Sequence, residues 1–315
     1  MRVAPDGTVT VISKFTEMGQ GIYTGVATIV ADEMDADWSR VRVESAPADV
    51  KRYMNAALHM QGTGGSMSTA SDWTELRKAG ATARALLVAA AAEEWGAAPA
   101  TLTVDKGVVI HAPSGRKAGF GALAAKAAPL PAPADVPLKD PKAFTLIGQP
   151  HLPRLDSADK TDGVAKFTID VALPGMLVAL VRHAPRFGGQ VKSFDAAAAK
   201  AIPDVVDVVR IPTGVAVVAK SFWAAKKGRD ALKVEWDDSH AEMRSSSDIM
   251  AAYRAAAASP GLSARKDGDI DTAIAGAAKR LEAAFEFPYL AHATMEPLDC
   301  VVKLTKDSCE IWSGT

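Results

Sequence analysis

Glu17-Met18-Gly19-Gln20-Gly21 separates two hydrophobic periods, and the change of period across it decides how the chain begins. Before it, Thr8 to Phe15 alternates, with Val9, Val11 and Ser13 on one face and Thr8, Thr10 and Ile12 on the other. That is the period of a strand covered on both sides. After it, Ile22, Val26, Ile29, Val30 and Met34 recur at helical spacing over Gly21 to Met34. Val41 to Ala46 alternates again, so the opening reads strand, helix, strand. Glycine at the first junction lets a ligand approach the backbone, and the helix N-terminus beyond it presents N–H groups to an anion. The same residues also suit a tight turn that binds nothing. The spacing is not the dinucleotide fingerprint, which needs a third glycine further on.

Outward from this unit, residues 47–68 have no clear period and read as one long loop, a length that is usually functional or disordered. Its end, Gln61-Gly62-Thr63-Gly64-Gly65-Ser66-Met67-Ser68, places small hydroxyl and glycine residues ahead of a helix, a nest suited to phosphate oxygens or a plain surface loop. No P-loop lysine follows, which argues against a nucleoside triphosphate. The helix reads from Asp72 to Trp95, with Asp72 and Glu75 as a capping pair and Gly96 as its stop. Thr101 to His111 reads as a hairpin turning at Asp105-Lys106-Gly107. Five prolines between Pro129 and Pro141 mark an extended linker or a strapped-down crossover, and a domain boundary is placed there.

Beyond the prolines, strands are expected at Ala165 to Val171, Met176 to His183, Val191 to Asp195, Val205 to Ile211, Val215 to Ala219 and Leu232 to Trp236. Helices at Ala196 to Ile202 and Ser221 to Leu232 alternate with them, giving a small α/β or α+β module. A helix at Ser246 to Ala258 and strands at Lys279 to Phe287, Val301 to Thr305 and Cys309 to Ser313 complete the reading. The strand entering Gly314-Thr315 stops in mid-pattern, so the polypeptide or its assembly is expected to continue beyond Thr315.

Thirty-six basic against 37 acidic side chains leave a net charge of −1, which removes the electrostatic case for a nucleic-acid partner. Two cysteines, Cys300 and Cys309, exclude a disulfide scaffold or a cysteine-ligated cluster within the chain. The longest strongly apolar run, Ala85 to Ala92, falls well short of the ~20 residues of a spanning helix, and no signal-peptide pattern opens the sequence. His59, His111, His151, His183 and His240 are scattered without ligand spacing. In Tyr289 to Pro297, His292 and Glu296 stand four apart and suit either an acid–base pair or the shaping of a loop. No Ser-His-Asp or Cys-His set is present to argue from. The residues alone lead as far as a phosphate-bearing ligand.

Taken in order, Glu17 to Gly21, Ala31-Asp32-Glu33-Met34, Val41-Arg42-Val43-Glu44 and Thr63 to Ser68 resemble the molybdopterin-binding subunit of the xanthine dehydrogenase/aldehyde oxidase family. The form resembled is the beta subunit of isoquinoline 1-oxidoreductase and of related membrane-associated aldehyde dehydrogenases, in its N-terminal part. The Pro-rich crossover, Arg154-Leu155-Asp156, Lys160-Thr161-Asp162-Gly163, Pro174-Gly175-Met176-Leu177, Ala216-Val217-Val218-Ala219 and Leu290 to Pro297 fit the same group. The co-linear match covers essentially the whole chain.

The resemblance implies an α+β fold: a molybdopterin-binding segment at 1–128, a Pro-rich linker at 129–145, a small α/β hammerhead-like domain at 146–240 and the start of a second cofactor-binding segment at 241–315. It implies a molybdenum hydroxylase that oxidises an aldehyde or N-heterocycle with water as the oxygen source. Its molybdenum would sit on a pyranopterin, in the cytosine dinucleotide form, with no protein ligand. Electrons would leave through two [2Fe–2S] clusters, which need eight cysteines by ligand count and so a separate iron–sulfur subunit. Gly19, Gln20 and Gly21 would contact the pterin, and Thr63, Gly65, Ser66 and Ser68 the phosphate or pterin. His292 and Glu296 would support the substrate funnel. The family's metal-side glutamine, a glycine-rich loop and the glutamate base are expected beyond Thr315, so no catalytic base is assigned within 1–315, and a missing C-terminal cofactor-binding portion is a required partner. Family analogy suggests a periplasmic or membrane-associated setting. The alternative is a non-catalytic fragment or scaffold that keeps the fold and binds no cofactor.

Overall fold

Val9, Val11 and Ser13 are buried along one face of the strand they form, as the alternation before Glu17 requires. In a computed structural model, described over residues 1–314, Arg2–Val3 (β1) pairs antiparallel with Val9–Ser13 (β2). Strand β2 runs parallel to Val41–Ser45 (β3), and the helix Ile22–Met34 (α1) makes the crossover that a parallel pair needs. The long loop holds one helical turn, Val50–Tyr53 (α2), capped by the Asp49 carboxylate.

The next helix, Ser68–Trp95 (α3), starts four residues before the expected Asp72. Asp72 is not its cap. The side chain is buried and its carboxylate lies 2.8 Å from the Lys14 amine at the end of β2. A long-range ion pair therefore claims the acid that local pattern assigned to the helix end. Helix α3 packs along α1 with small residues at the contact, and the backbones come closest at Gly80. A Cβ there would stand 2.6 Å from the Val30 carbonyl oxygen and 2.9 Å from the Glu33 Cβ.

The expected hairpin is present as Thr103–Asp105 (β4) and Val108–His111 (β5), and Arg116–Gly119 (β6) adds a third strand. The short helix Phe120–Ala127 (α4) follows, with Phe120 and Leu123 buried in the same core as Val26, Met34, Leu87 and Val109. Residues 129–147 then run back over this unit as a strap. Leu130 and Leu146 pack on its core, the Lys139 amine reaches Asp32 and Asp35, and the amides of Thr145, Leu146 and Ile147 donate to the Asp32 carboxylate. The prolines thus stiffen a crossover fastened to the first unit. The compact units divide after Asp170 rather than at Pro129, into residues 1–170 with 298–314, and residues 171–297.

The first unit also holds Ser157–Thr161 (α5). Ala165 to Val171, expected as a strand, forms a single turn at Thr168–Asp170, where the Asp170 carboxylate accepts the Phe167 N–H. The second unit contains Val178–His183 (β7), Gln190–Asp195 (β8), Ala197–Lys200 (α6), Val205–Ile211 (β9), Gly214–Ala219 (β10), Phe222–Ala231 (α7) and Lys233–Asp237 (β11). The strands form an antiparallel sheet β7-β10-β9 and an antiparallel pair β11-β8, with α7 laid on β10. Ser246–Ala257 (α8), with a Ser245–Asp248 capping box, and Ile270–Ala275 (α9) follow.

Lys279 to Phe287 forms no strand. A strand exists through its ladder, and among the described residues none pairs with this run, which leaves Leu281, Phe285 and Phe287 exposed. Cys300–Leu304 (β12) and Cys309–Ser313 (β13) close the described chain as a hairpin in the first unit. Thr315, on which the expectation of a continuing chain falls, lies outside the described residues. Among the described residues no helix is long and apolar enough to cross a membrane.

The Gly80 contact is directly testable. Gly80→Ala must push α1 and α3 apart, and overpacking of this kind costs about 1–3 kcal/mol. Urea unfolding followed by circular dichroism should show the loss as a lower midpoint with an unchanged slope.

Candidate functional site

Two loops separated by more than forty residues of sequence meet in the first unit. The Thr16 N–H donates to the Thr63 hydroxyl at 2.9 Å and ties the turn before α1 to the loop before α3. Between them lies a cleft of about 310 Å³ lined by Gln20, Gly21, Thr63, Gly64, Ser66 and Ser68, among others. Five of the seven residues singled out from the sequence therefore share one hollow. Gly19 and Gly65 belong to the same two loops but do not line it. A neighbouring hollow of about 550 Å³ is lined by Ser13, Lys14, Thr16, Asp49, Gln61 and Gly62.

The first loop is closed on itself. Glu17 places one carboxylate oxygen 2.8 Å from the N–H groups of both Gly19 and Gly21, and the other 3.0 Å from that of Tyr23. Those are the donors that a helix N-terminus leaves free, so the anion expected at the start of α1 is supplied by the chain itself. The Gln20 amide is also used locally, accepting from Met18 N–H at 2.6 Å and donating to the Thr16 carbonyl at 2.9 Å. Gly19 and Gly21 have φ of 99° and 88°, a left-handed conformation that a Cβ would strain. The acidic residue just ahead of a helix start is the available sequence signal for this cap.

Arg154 braces the loop from the far end of the strap. It donates to the Gly19 carbonyl at 3.1 Å, approaches Glu17 at 3.7 Å and forks onto Asp156 at 3.0 and 2.9 Å, where Lys160 adds a further contact at 2.6 Å. The hydrogen bond from Arg154 first, then those from Lys160, hold the Asp156 carboxyl well below the usual carboxylate range despite its partial burial.

The second loop is organised differently. Gly65 and Ser66 are both left-handed, with φ of 61° and 56°, and no side chain caps α3 at Met67. Hydroxyls of Thr63, Ser66, Ser68 and Thr69 border this end of the cleft, and no carboxylate is among the residues lining it. His292 and Glu296 belong to the second unit, in an irregular stretch where the Thr294 hydroxyl donates to the Glu296 carbonyl, and they are not among the cleft's lining residues. Among the described residues no group of three or more His, Cys, Asp or Glu is placed to hold a metal ion.

The model of the molybdopterin cofactor-binding domain family matches residues 1–174, more than half of the chain and all of the cleft. The chain belongs to that family. A molybdopterin-binding domain of this kind recurs in relatives of known designation. The beta subunit of isoquinoline 1-oxidoreductase from Brevundimonas diminuta is 34% identical over 363 residues, covering 100% of this chain and 46% of that protein. The membrane-bound aldehyde dehydrogenase [pyrroloquinoline-quinone] of Gluconacetobacter polyoxogenes is 34% identical, over 99% of this chain and 41% of that protein. The B-type subunit of nicotinate dehydrogenase from Pseudomonas putida is 32% identical, over 99% and 26%. The chain spans less than half the length of each. Reconstituted CO dehydrogenase from Oligotropha carboxidovorans aligns at a TM-score of 0.24 and 21% identity, over 26% of this chain and 14% of that one, a likeness too slight to speak for the fold.

The brace on the molybdopterin-binding unit has a pH signature. Because the folded Asp156 carboxyl lies below its unfolded value, its contribution is full above about pH 4 and fades as pH falls through the folded value. Asp156→Asn should therefore be less stable than the parent at neutral pH, with the gap closing below pH ~4 in thermal melts.

Proposed function

We propose that this chain belongs to the catalytic subunit of a molybdenum hydroxylase that oxidises an aldehyde or N-heterocycle. The observation that carries this reading is the junction of the Glu17–Gly21 and Thr63–Ser68 loops around one cleft, inside a domain of the molybdopterin-binding family. The donor set suits such a group. Hydroxyls, backbone amides and one carboxamide border the cleft without an acidic side chain, as a phosphate-bearing, hydrogen-bonding heterocycle requires.

When bound, the molybdenum–pyranopterin, in its cytosine dinucleotide form, supplies two-electron oxidation of an electron-poor carbon with oxygen from water. This chain's part is to bind and orient. Ser66 and Ser68 would donate to the anionic end, Thr63 would hold its loop against Thr16, and Gly19, Gln20 and Gly21 would form the pterin side of the wall. The catalytic base and the metal-side glutamine are assigned to another part of the polypeptide or complex, with His292 and Glu296 as support near the substrate funnel. Residues 146–240 are read as the hammerhead-like domain and 241–315 as the start of the next cofactor-binding segment.

Two [2Fe–2S] clusters call for eight cysteines, and Cys300 and Cys309 are the chain's two, so an iron–sulfur subunit is the electron-accepting partner. Near-zero net charge gives no footing to a nucleic-acid partner. The test is elemental analysis of the complex recovered through this chain from a host that makes the cofactor. The reading predicts molybdenum and iron together, with about four irons per molybdenum. A folded, abundant protein carrying neither metal would instead identify a scaffold that keeps the fold without the chemistry.

A further inference from the structure

Glu17 is nine-tenths buried, and its two carboxylate oxygens take three backbone N–H groups, from Gly19, Gly21 and Tyr23, with the Arg154 guanidinium 3.7 Å away. Every feature of an anion site at the start of α1 is present, and the anion is part of the chain. We infer that Glu17 is a built-in anion and a positioning residue: it holds Gly19 and Gly21 in their left-handed conformations, sets Gln20 and Gly21 against the cleft, and keeps external anions off the end of α1.

Three observations support this assignment independently of the cofactor. Both glycines need an outside force to favour one φ, since glycine alone samples either sign freely. The Gln20 amide cannot supply that force from outside, because both its groups are spent on Thr16 and Met18 within the same turn. Arg154 bonds the Gly19 carbonyl and lies near Glu17, so one cation braces both the loop backbone and the carboxylate that organises it. The inference deepens the proposed cofactor role, on which only its consequence for cofactor retention rests.

The experiment is residue-resolved amide hydrogen exchange on the full-length protein, with molybdenum content measured on the same samples. Glu17→Ala should lose protection at Gly19, Gly21 and Tyr23 together, by about tenfold or more. Added formate, a carboxylate small enough for the vacated space, should restore it in the variant and change nothing in the parent. Glu17→Gln keeps one acceptor oxygen and turns the other into a donor facing an N–H, so it should keep Gly19 and Gly21 protected while releasing Tyr23. This variant decides the matter if Glu17→Ala fails to fold. Unchanged exchange in folded Glu17→Ala, no response to formate, or uniform loss in Glu17→Gln would each overturn the assignment. A parent protein lacking molybdenum would overturn the cofactor reading alone, because the exchange pattern is read without it.

Discussion

Two carboxylates buried at the end of α1 hold the first unit together. Asp32 is fully buried and receives the amides of Leu146 and Ile147 at 2.9 and 2.8 Å, that of Thr145 at 3.2 Å, and the Lys139 amine at 3.1 Å. Glu33 beside it takes Arg77 of α3 at 2.6 Å and the Lys139 N–H at 3.1 Å. Charges in such a place are tolerable only when fully partnered, and stripping one partner from a buried pair costs about 3–5 kcal/mol. These partners come from three separate stretches of chain: α1, α3 and the Pro-rich strap. The strap also sends Phe144 against the Arg77 guanidinium, whose other neighbour is Trp73, at 5.1 and 5.5 Å.

The cleft inherits its shape from this hub. Its two loops open onto the first turns of α1 and α3, and those helices are fixed to each other by the close approach at Gly80 and by the Glu33–Arg77 pair. Lys14 adds a second tie, from the end of β2 to Asp72 in the second turn of α3, and bonds the Met54 carbonyl in the intervening loop. With the Thr16–Thr63 bond, each wall of the cleft is fastened to the other by polar contacts of high sequence separation. A ligand binding there meets a preformed surface, which spares it the cost of ordering loops.

What the sequence discloses follows from which forces are local. The β2–α1–β3 unit, the β4–β5 hairpin and most elements of the second unit are readable because period and turn chemistry act over a few residues. Asp72 reads wrongly as a cap because an acid near a helix start looks the same whether its partner is the next turn or a lysine 58 positions earlier. The prolines at 129–141 look like a divide, since nothing in their own stretch announces Asp32 as an anchor. Lys279 to Phe287 has strand composition, but composition supplies no partner. Glu17 is visible as part of a motif, yet its use as the occupant of the α1 nest emerges only once three amides are placed around it. Resemblance groups Gln20 and Gly21 with Thr63, Ser66 and Ser68, and the fold brings them to one hollow.

The most direct test of the account is where the cofactor sits. Diffraction from crystals of the metal-loaded complex, with anomalous data at the molybdenum edge to locate the metal, would show cofactor density relative to this chain. The account predicts density touching Ser66 and Ser68 on one side and the Gln20–Gly21 turn on the other. Cofactor density that meets none of these residues would contradict it.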